Sequence, residues 1–117
     1  METPFCAVSL VSLDGQPLRR SQKILVVAAA RCANTGMVWN EARNSIGDHW
    51  GGPPLLIEPV VGEVTLQRDA GAPPPRLIPL DGRGLPKGAG TSATREGTSL
   101  RLPLRAGDAT VWYALMR

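Results

Sequence analysis

The chain has 117 residues, of which 43% are hydrophobic and 20% are charged, and its formal net charge is +3 at pH 7. This length suits one domain with one core and is too short to hold a barrel-type catalytic domain as well. The composition is that of a soluble globular chain, which disfavours disorder and a membrane class. The thirteen lysines and arginines are scattered rather than gathered in a dense stripe, which disfavours nucleic-acid binding.

The pattern of glycine, proline and short apolar runs is typical of a β protein. Thirteen glycines and eleven prolines fall between those runs, as they do in chains of many strands joined by tight turns. No stretch approaches the roughly 20 apolar residues that span a bilayer, and the first residues lack the pattern of a signal peptide. The sequence therefore predicts neither an anchor nor a membrane partner.

The first two strands are predicted from apolar runs. Residues 5–13 form one run, which ends in a turn at Asp14 and Gly15. In residues 23–32 both alternating sets of side chains are apolar, so neither face can be fully solvated and a central strand is expected. The small alanines of that run leave space, which we expect Trp39 or Trp112 to fill.

The middle of the chain is predicted to alternate loops and short strands. Residues 37–39 form a short strand, and an ordered loop follows as far as Pro54. Pro59 interrupts the run at residues 55–61 and places it at an edge or a bend. Residues 63–67 alternate as in a half-buried strand.

The remaining third continues the strand pattern. The proline run at residues 73–75 stiffens an extended connection without marking a domain boundary. A strand at residues 77–80 leads into a turn at residues 81–84, and Leu100, Leu102 and Leu104 alternate as an inward face. The strand at residues 110–116 places Tyr113 and Trp112 on opposite sides.

Seven or eight short antiparallel strands without a helical period predict a single all-β domain over residues 1–117. Two sheets packed face to face, as an immunoglobulin-like or jelly-roll-like β-sandwich, are expected. A small closed barrel is the alternative.

Two segments carry a resemblance to a known family. The run Asn-Thr-Gly-Met-Val-Trp-Asn at residues 34–40 and Val-Trp-Tyr at residues 111–113 resemble the C-terminal β-sandwich of bacterial TIM-barrel glycoside hydrolases. Similar too are Gly-Asp-His-Trp-Gly at residues 47–51 and the turns at Asp14-Gly15 and Asp81-Gly82. The resemblance implies a non-catalytic accessory domain that supports the catalytic domain of a polysaccharide-degrading enzyme, in an extracellular or periplasmic location. None of the matching residues belongs to a catalytic motif.

An aromatic loop is the candidate binding site. Trp39 and Trp50 bracket a set of polar residues that could contact sugar hydroxyls, namely Asn40, Glu41, Arg43, Asp48 and His49. An indole stacks on the apolar face of a pyranose, so this loop favours an independent carbohydrate-binding module as the second interpretation. Because the chain has few aromatics, burial of both tryptophans against the sandwich is the preferred structural expectation.

The sequence does not predict catalysis. Glycoside hydrolysis needs two carboxyl groups facing each other, and nothing places any two of Glu41, Asp48, Glu58 and Glu63 in that way. A small glycoside hydrolase using Glu41, Asp48 and Glu58 is the third interpretation. His49 is the only histidine and no nucleophile elbow surrounds a serine, which disfavours a serine triad.

No cofactor is predicted. Cys6 and Cys32 lie in apolar runs and are expected to be buried thiols, with a disulfide as the alternative, and their spacing disfavours zinc. A structural calcium ion is an alternative at aspartates near glycines, although such residues mostly form turns; these are Asp14, Asp48, Asp81 and Asp108. Scattered arginines could contact acidic sugars or a neighbouring domain, but isolated arginines more often face water.

Overall fold

A computed structural model describes residues 3–36, 41, 47, 50–69 and 75–116. These residues form ten β-strands and one single-turn 3₁₀ helix, without an α-helix, and all the strand pairs are antiparallel. The predicted all-β class is confirmed, whereas seven or eight strands were too few. The strands are β1 (Ala7–Ser12), β2 (Lys23–Ala29), β3 (Cys32–Thr35), β4 (Gly52–Ile57), β5 (Gly62–Gln67), β6 (Arg76–Pro79), β7 (Thr91–Ser92), β8 (Thr94–Glu96), β9 (Ser99–Leu104) and β10 (Trp112–Met116).

The largest sheet has five strands in the order β1-β2-β10-β6-β7. Strand β2 is an interior strand, as the apolar character of both its faces predicts, but β10 takes the middle position. In the register of this sheet Tyr113 lies between Val26 of β2 and Pro79 of β6. The five-stranded sheet therefore depends on pairing between distant parts of the chain.

A second sheet has three strands in the order β5-β9-β8. Leucines of β9 alternate inward, as predicted, and Leu102 pairs with Val64 while Leu100 pairs with Leu66. The inward leucines are almost fully buried, whereas Val64 and Leu66 are half-buried. Strand β5 is thus the half-buried strand that its alternating sequence predicts.

One apolar cluster joins the two larger sheets. It contains Ile24, Val26 and Ala28 of β2, Leu77 of β6, Tyr113 and Leu115 of β10, and the three inward leucines of β9, with Val60 and Ala93. Burial of this layer removes apolar surface from water, which is the main force that favours folding.

The strands β3 and β4 form a separate two-stranded ribbon and pair only with each other among the described strands. The pairing starts at Cys32 and Ile57 and shifts in register near Thr35. Leu56 and Ile57 of this ribbon are exposed. We call residues Cys32–Thr35 and Gly52–Ile57 the β3–β4 arm. The peptide bond between Pro53 and Pro54 in β4 is cis.

Several expectations about single residues are wrong. Trp112 does not fill the space beside the alanines of β2, because the register turns Tyr113 toward the core and leaves Trp112 on the opposite face, 40% exposed. The cysteines are free thiols rather than a buried pair: Cys6 is half-buried and Cys32, on the arm, is exposed. The run at residues 23–32 is two strands, interrupted at Ala30 and Arg31.

Candidate functional site

The outer face of the five-stranded sheet is apolar at its centre. Ala114 of β10 pairs with Leu25 of β2 on one side and with Ile78 of β6 on the other. Since side chains directly opposite each other in a sheet share one face, these three residues form a row across three strands. The small alanine between two larger side chains leaves a groove along β10.

The groove encloses two cavities. It consists of two adjoining cavities of about 300 and 320 Å³ that share Leu25, Leu80 and Gly84 in their linings. Trp112 lines one cavity, and Met116 lines the other. We call this feature the outer groove. Its walls are apolar apart from Lys23, so hydration of its surface is unfavourable.

A tight turn forms one wall of the outer groove. The Asp81 carboxylate accepts hydrogen bonds from the backbone N–H groups of Arg83 (2.8 Å) and Leu85 (3.0 Å). Gly84 has a φ of 82°, a value that favours glycine, and Leu80 and Pro86 form a bridge across the turn. No atom lies within 4 Å of a Cβ built on Gly82 or Gly84, so the turn leaves open space beside Trp112.

The predicted aromatic loop is only partly described. Trp39, Asn40, Arg43, Asp48 and His49 lie outside the described residues. Glu41 is exposed, and Trp50 is 64% exposed, so the expectation that Trp50 is buried is wrong. The described residues therefore supply one exposed indole from this loop.

Three of the four acids considered for catalysis lie among the described residues. Glu63 on β5 lies 3.7 Å from Arg101, which also pairs with Glu96 at 2.9 Å. Glu58 follows the arm, where its N–H donates to the Arg31 carbonyl. Glu41 is exposed, and Asp48 lies outside the described residues.

Three of the four aspartates considered for calcium are described, and each accepts hydrogen bonds from protein groups. The Asp14 carboxylate accepts from the hydroxyls of Ser12 (2.9 Å) and Ser21 (2.8 Å) and from the N–H groups of Gln16 (3.2 Å) and Gln22 (2.9 Å). These hydrogen bonds hold the pKa of Asp14 well below its usual range, and the bond from the Gln22 N–H has the largest effect. Within the described ranges, no three metal-ligating side chains are grouped.

Asp108 connects the 3₁₀ turn (Ala106–Asp108) to the core. Its carboxylate accepts from the Tyr113 hydroxyl at 3.2 Å and from the Arg105 N–H at 3.3 Å. Burial of Tyr113 and the negative charge of Asp108 raise the pKa of the phenol. This aspartate therefore satisfies the one polar group of the buried tyrosine ring.

Sequence reasoning did not identify the outer groove, although its signal is present. Both alternating sets of β2 are apolar, and β10 repeats this with Trp112 and Ala114 opposite Tyr113 and Leu115. A strand that is apolar on both faces buries one face in the core and leaves the second to be covered.

In comparisons with protein-family models, with curated proteins and with solved structures, nothing matches this chain. Among the described residues there is no helix with the length and hydrophobicity that a bilayer crossing requires.

Proposed function

We propose that the chain is a non-catalytic, two-layered β-sandwich that packs against the catalytic domain of a glycoside hydrolase and supports it. The five-stranded and three-stranded sheets would be the two layers of the sandwich. Their shared apolar cluster supports this arrangement, with β2 and β10 on one side and β9 on the other.

The observation that carries the proposal is the outer groove. Apolar side chains of β2, β6 and β10 line it on the face away from the core. Docking a partner domain there would remove this surface from water. Each Å² of apolar area that is buried would contribute about 25 cal/mol of favourable free energy. The nature of the partner comes from the resemblance of residues 34–40 and 111–113 to accessory sandwiches of barrel enzymes.

The test first seeks a glycoside hydrolase barrel in the same gene or in its neighbours, and then uses that barrel. Thermal unfolding of the barrel is measured alone, with the wild-type chain, and with the variants Leu25→Gln and Trp112→Gln. The wild-type chain should raise the Tm of the barrel, and both variants should lose the effect because they place polar groups in the outer groove.

A matched control is Thr65→Gln, an exposed position on β5 in the other sheet. This variant should support the barrel as the wild type does, and circular dichroism checks that every variant is folded. The proposal fails if no barrel is encoded in the same gene or its neighbours, or if the barrel unfolds at the same temperature with and without the chain.

The second candidate is an independent carbohydrate-binding module, favoured by the exposure of Trp50 and Trp112. Each indole offers a face on which a pyranose ring can stack. Tryptophan fluorescence across a panel of polysaccharides should then change on binding, and Trp50→Ala or Trp112→Ala should reduce the change. A panel without any response would remove this candidate.

A further inference from the structure

Four arginines converge at one end of the two larger sheets. Arg19 and Arg20 lie in the loop between β1 and β2, Arg68 directly follows β5, and Arg95 lies on β8. We call these four residues, with Asp69 among them, the arginine cluster. It shares no residue with the linings of the outer groove.

Hydrogen bonds hold the cluster in place. The Arg68 Nη1 donates to the Leu18 carbonyl at 2.6 Å, and the Arg95 Nη2 donates to the Asp69 carbonyl at 2.9 Å. The Asp69 N–H in turn donates to the Arg19 carbonyl at 2.9 Å. The loop that carries Arg19 is therefore fixed against the end of β5, so a ligand would meet guanidinium groups that are already positioned.

The cluster has an excess of positive charge. The Asp69 carboxylate pairs with Arg19 and Arg20, and the charges of Asp69 and Asp14 both act on Arg68, so among the described residues the four guanidinium groups of the cluster outnumber these two carboxylates. Burial and then the charge of Arg95 lower the pKa of Arg68, against the opposing effect of the two carboxylates.

The outer two arginines are accessible to a ligand. Their Nε atoms lie 3.7 Å (Arg19) and 3.0 Å (Arg20) from Asp69, while 63% and 60% of the two side chains are exposed. Exposed ion pairs contribute little to stability, because water screens both charges. A ligand anion can therefore compete with Asp69 or add to it without a large penalty.

Neutral hydrogen-bonding groups lie beside the charge. The Gln67 amide donates to the Ser99 hydroxyl at 3.0 Å, and the Thr98 hydroxyl donates to the Gln67 carbonyl oxygen at 3.3 Å. These residues adjoin Arg68, whose backbone N–H donates to the backbone carbonyl of Thr98 at 2.7 Å. Exposed amides and hydroxyls are suitable partners for sugar hydroxyls.

We propose that the arginine cluster binds the carboxylate or sulfate groups of an acidic polysaccharide. Guanidinium groups bind planar and tetrahedral oxyanions through paired N–H donors, and the adjoining Gln67, Thr98 and Ser99 would contact the ring hydroxyls. Nucleic acid fits less well because its phosphates need an extended positive track. Farther along the three-stranded sheet, Arg101 is neutralised by Glu63 and Glu96.

The test is isothermal titration at low ionic strength with an oligogalacturonate, a sulfated dextran oligomer and neutral dextran. One or both anionic oligomers should bind, and neutral dextran should not. The anionic oligomer that binds more tightly identifies the preferred group as carboxylate or sulfate. The double variant Arg19→Ala/Arg20→Ala should lower the affinity by roughly tenfold or more.

Two matched controls separate the cluster from overall charge. The variant Arg31→Ala/Arg83→Ala has the same net charge as the cluster variant and should retain the wild-type affinity. Asp69→Asn removes the competing carboxylate and should raise the affinity. Equal losses from both double variants, no binding of either anionic glycan, or equally tight binding of duplex DNA or polyglutamate would overturn the proposal. Because the outer groove is intact in all these variants, this result is independent of the proposed docking.

Discussion

At the scale of single residues, the hydrogen bond between Tyr113 and Asp108 joins the core to the 3₁₀ turn. The ring is 2% exposed, and its hydroxyl reaches the carboxylate of Asp108 in the 3₁₀ turn that precedes β10. The position is therefore both a packing site and a polar site. Removing the hydroxyl would keep most of the packing and leave Asp108 with one donor fewer, at a cost of about 1 kcal/mol.

We predict that Tyr113 causes a loss of stability at high pH. Its pKa is raised in the folded protein, so its contribution is complete below the ordinary tyrosine pKa of about 10 and is lost as the pH rises beyond it. Tyr113 is the only tyrosine in the chain, so the absorbance of tyrosinate reports on it alone.

In urea the phenol should ionise near its ordinary pKa, whereas in the folded protein ionisation should occur well above it or together with unfolding. Tyr113→Phe should lose less stability than the wild type at alkaline pH. Ionisation of the folded protein near the ordinary value, without unfolding, would contradict this prediction.

At the scale of elements, the β3–β4 arm differs from the strands around it. Each of the two larger sheets has an apolar face in the shared cluster, whereas none of the arm residues whose side chains the structure describes belongs to that cluster or packs against it as a partly buried hydrophobic residue. Two strands alone are marginally stable in water. The arm should therefore open more readily than the sheets.

We predict that amide hydrogens of the arm exchange faster than those of β2 and β9. Hydrogen exchange followed by mass spectrometry would show this difference between peptides covering residues 52–57 and peptides covering residues 99–104. The pairing of β5 with β9 serves as the internal reference, since its residues contribute to the core. Equal protection of arm and core would show that the arm is held by contacts of comparable strength.

The strands that the sequence predicted well are those with a clear alternation. The leucines of β9 and the half-buried residues of β5 show their orientation directly, because the residues that alternate with them are polar, apart from Pro103. The break between β2 and β3 was missed because no glycine or proline interrupts the apolar run at Ala30 and Arg31. Alternation also placed Tyr113 and Trp112 on opposite sides of β10, but the choice of the inward side depends on the neighbouring strands.

At the scale of the whole molecule, the chain combines a small net positive charge with an apolar outer face. The charge is +3 at pH 7 and the isoelectric point is about 9.4. Electrostatic repulsion between copies is therefore weak at neutral pH and vanishes near the isoelectric point. An uncovered outer groove would then favour contact between copies of the chain.

We predict that the isolated chain self-associates more strongly near pH 9.4 than at pH 7. Sedimentation velocity over a range of concentrations would measure this, and Leu25→Gln should reduce association at both pH values. Thr65→Gln, on the other sheet, should not. Association that is insensitive to both pH and Leu25→Gln would indicate that another surface is responsible.

The candidate sites were less predictable than the fold. Charged residues distant in sequence form the arginine cluster: contacts between the two larger sheets bring residues 19–20 to residues 68–69, and the register of the three-stranded sheet brings Arg95 to them. The outer groove needs knowledge of which strands adjoin β10, which no local pattern supplies. Both features depend on contacts between residues that are distant in the sequence, and no local motif predicts them.

The middle position of β10 has a consequence for how the protein is made. Its neighbours β2 and β6 both precede it in chain order, and neither pairs with the other. During synthesis these two strands leave the ribosome before β10 does. The backbone groups on the edge of each strand that later pairs with β10 are unpaired until then. Until then a nascent chain is open to wrong pairing, so slowing translation just before residue 112 should increase its dependence on chaperones.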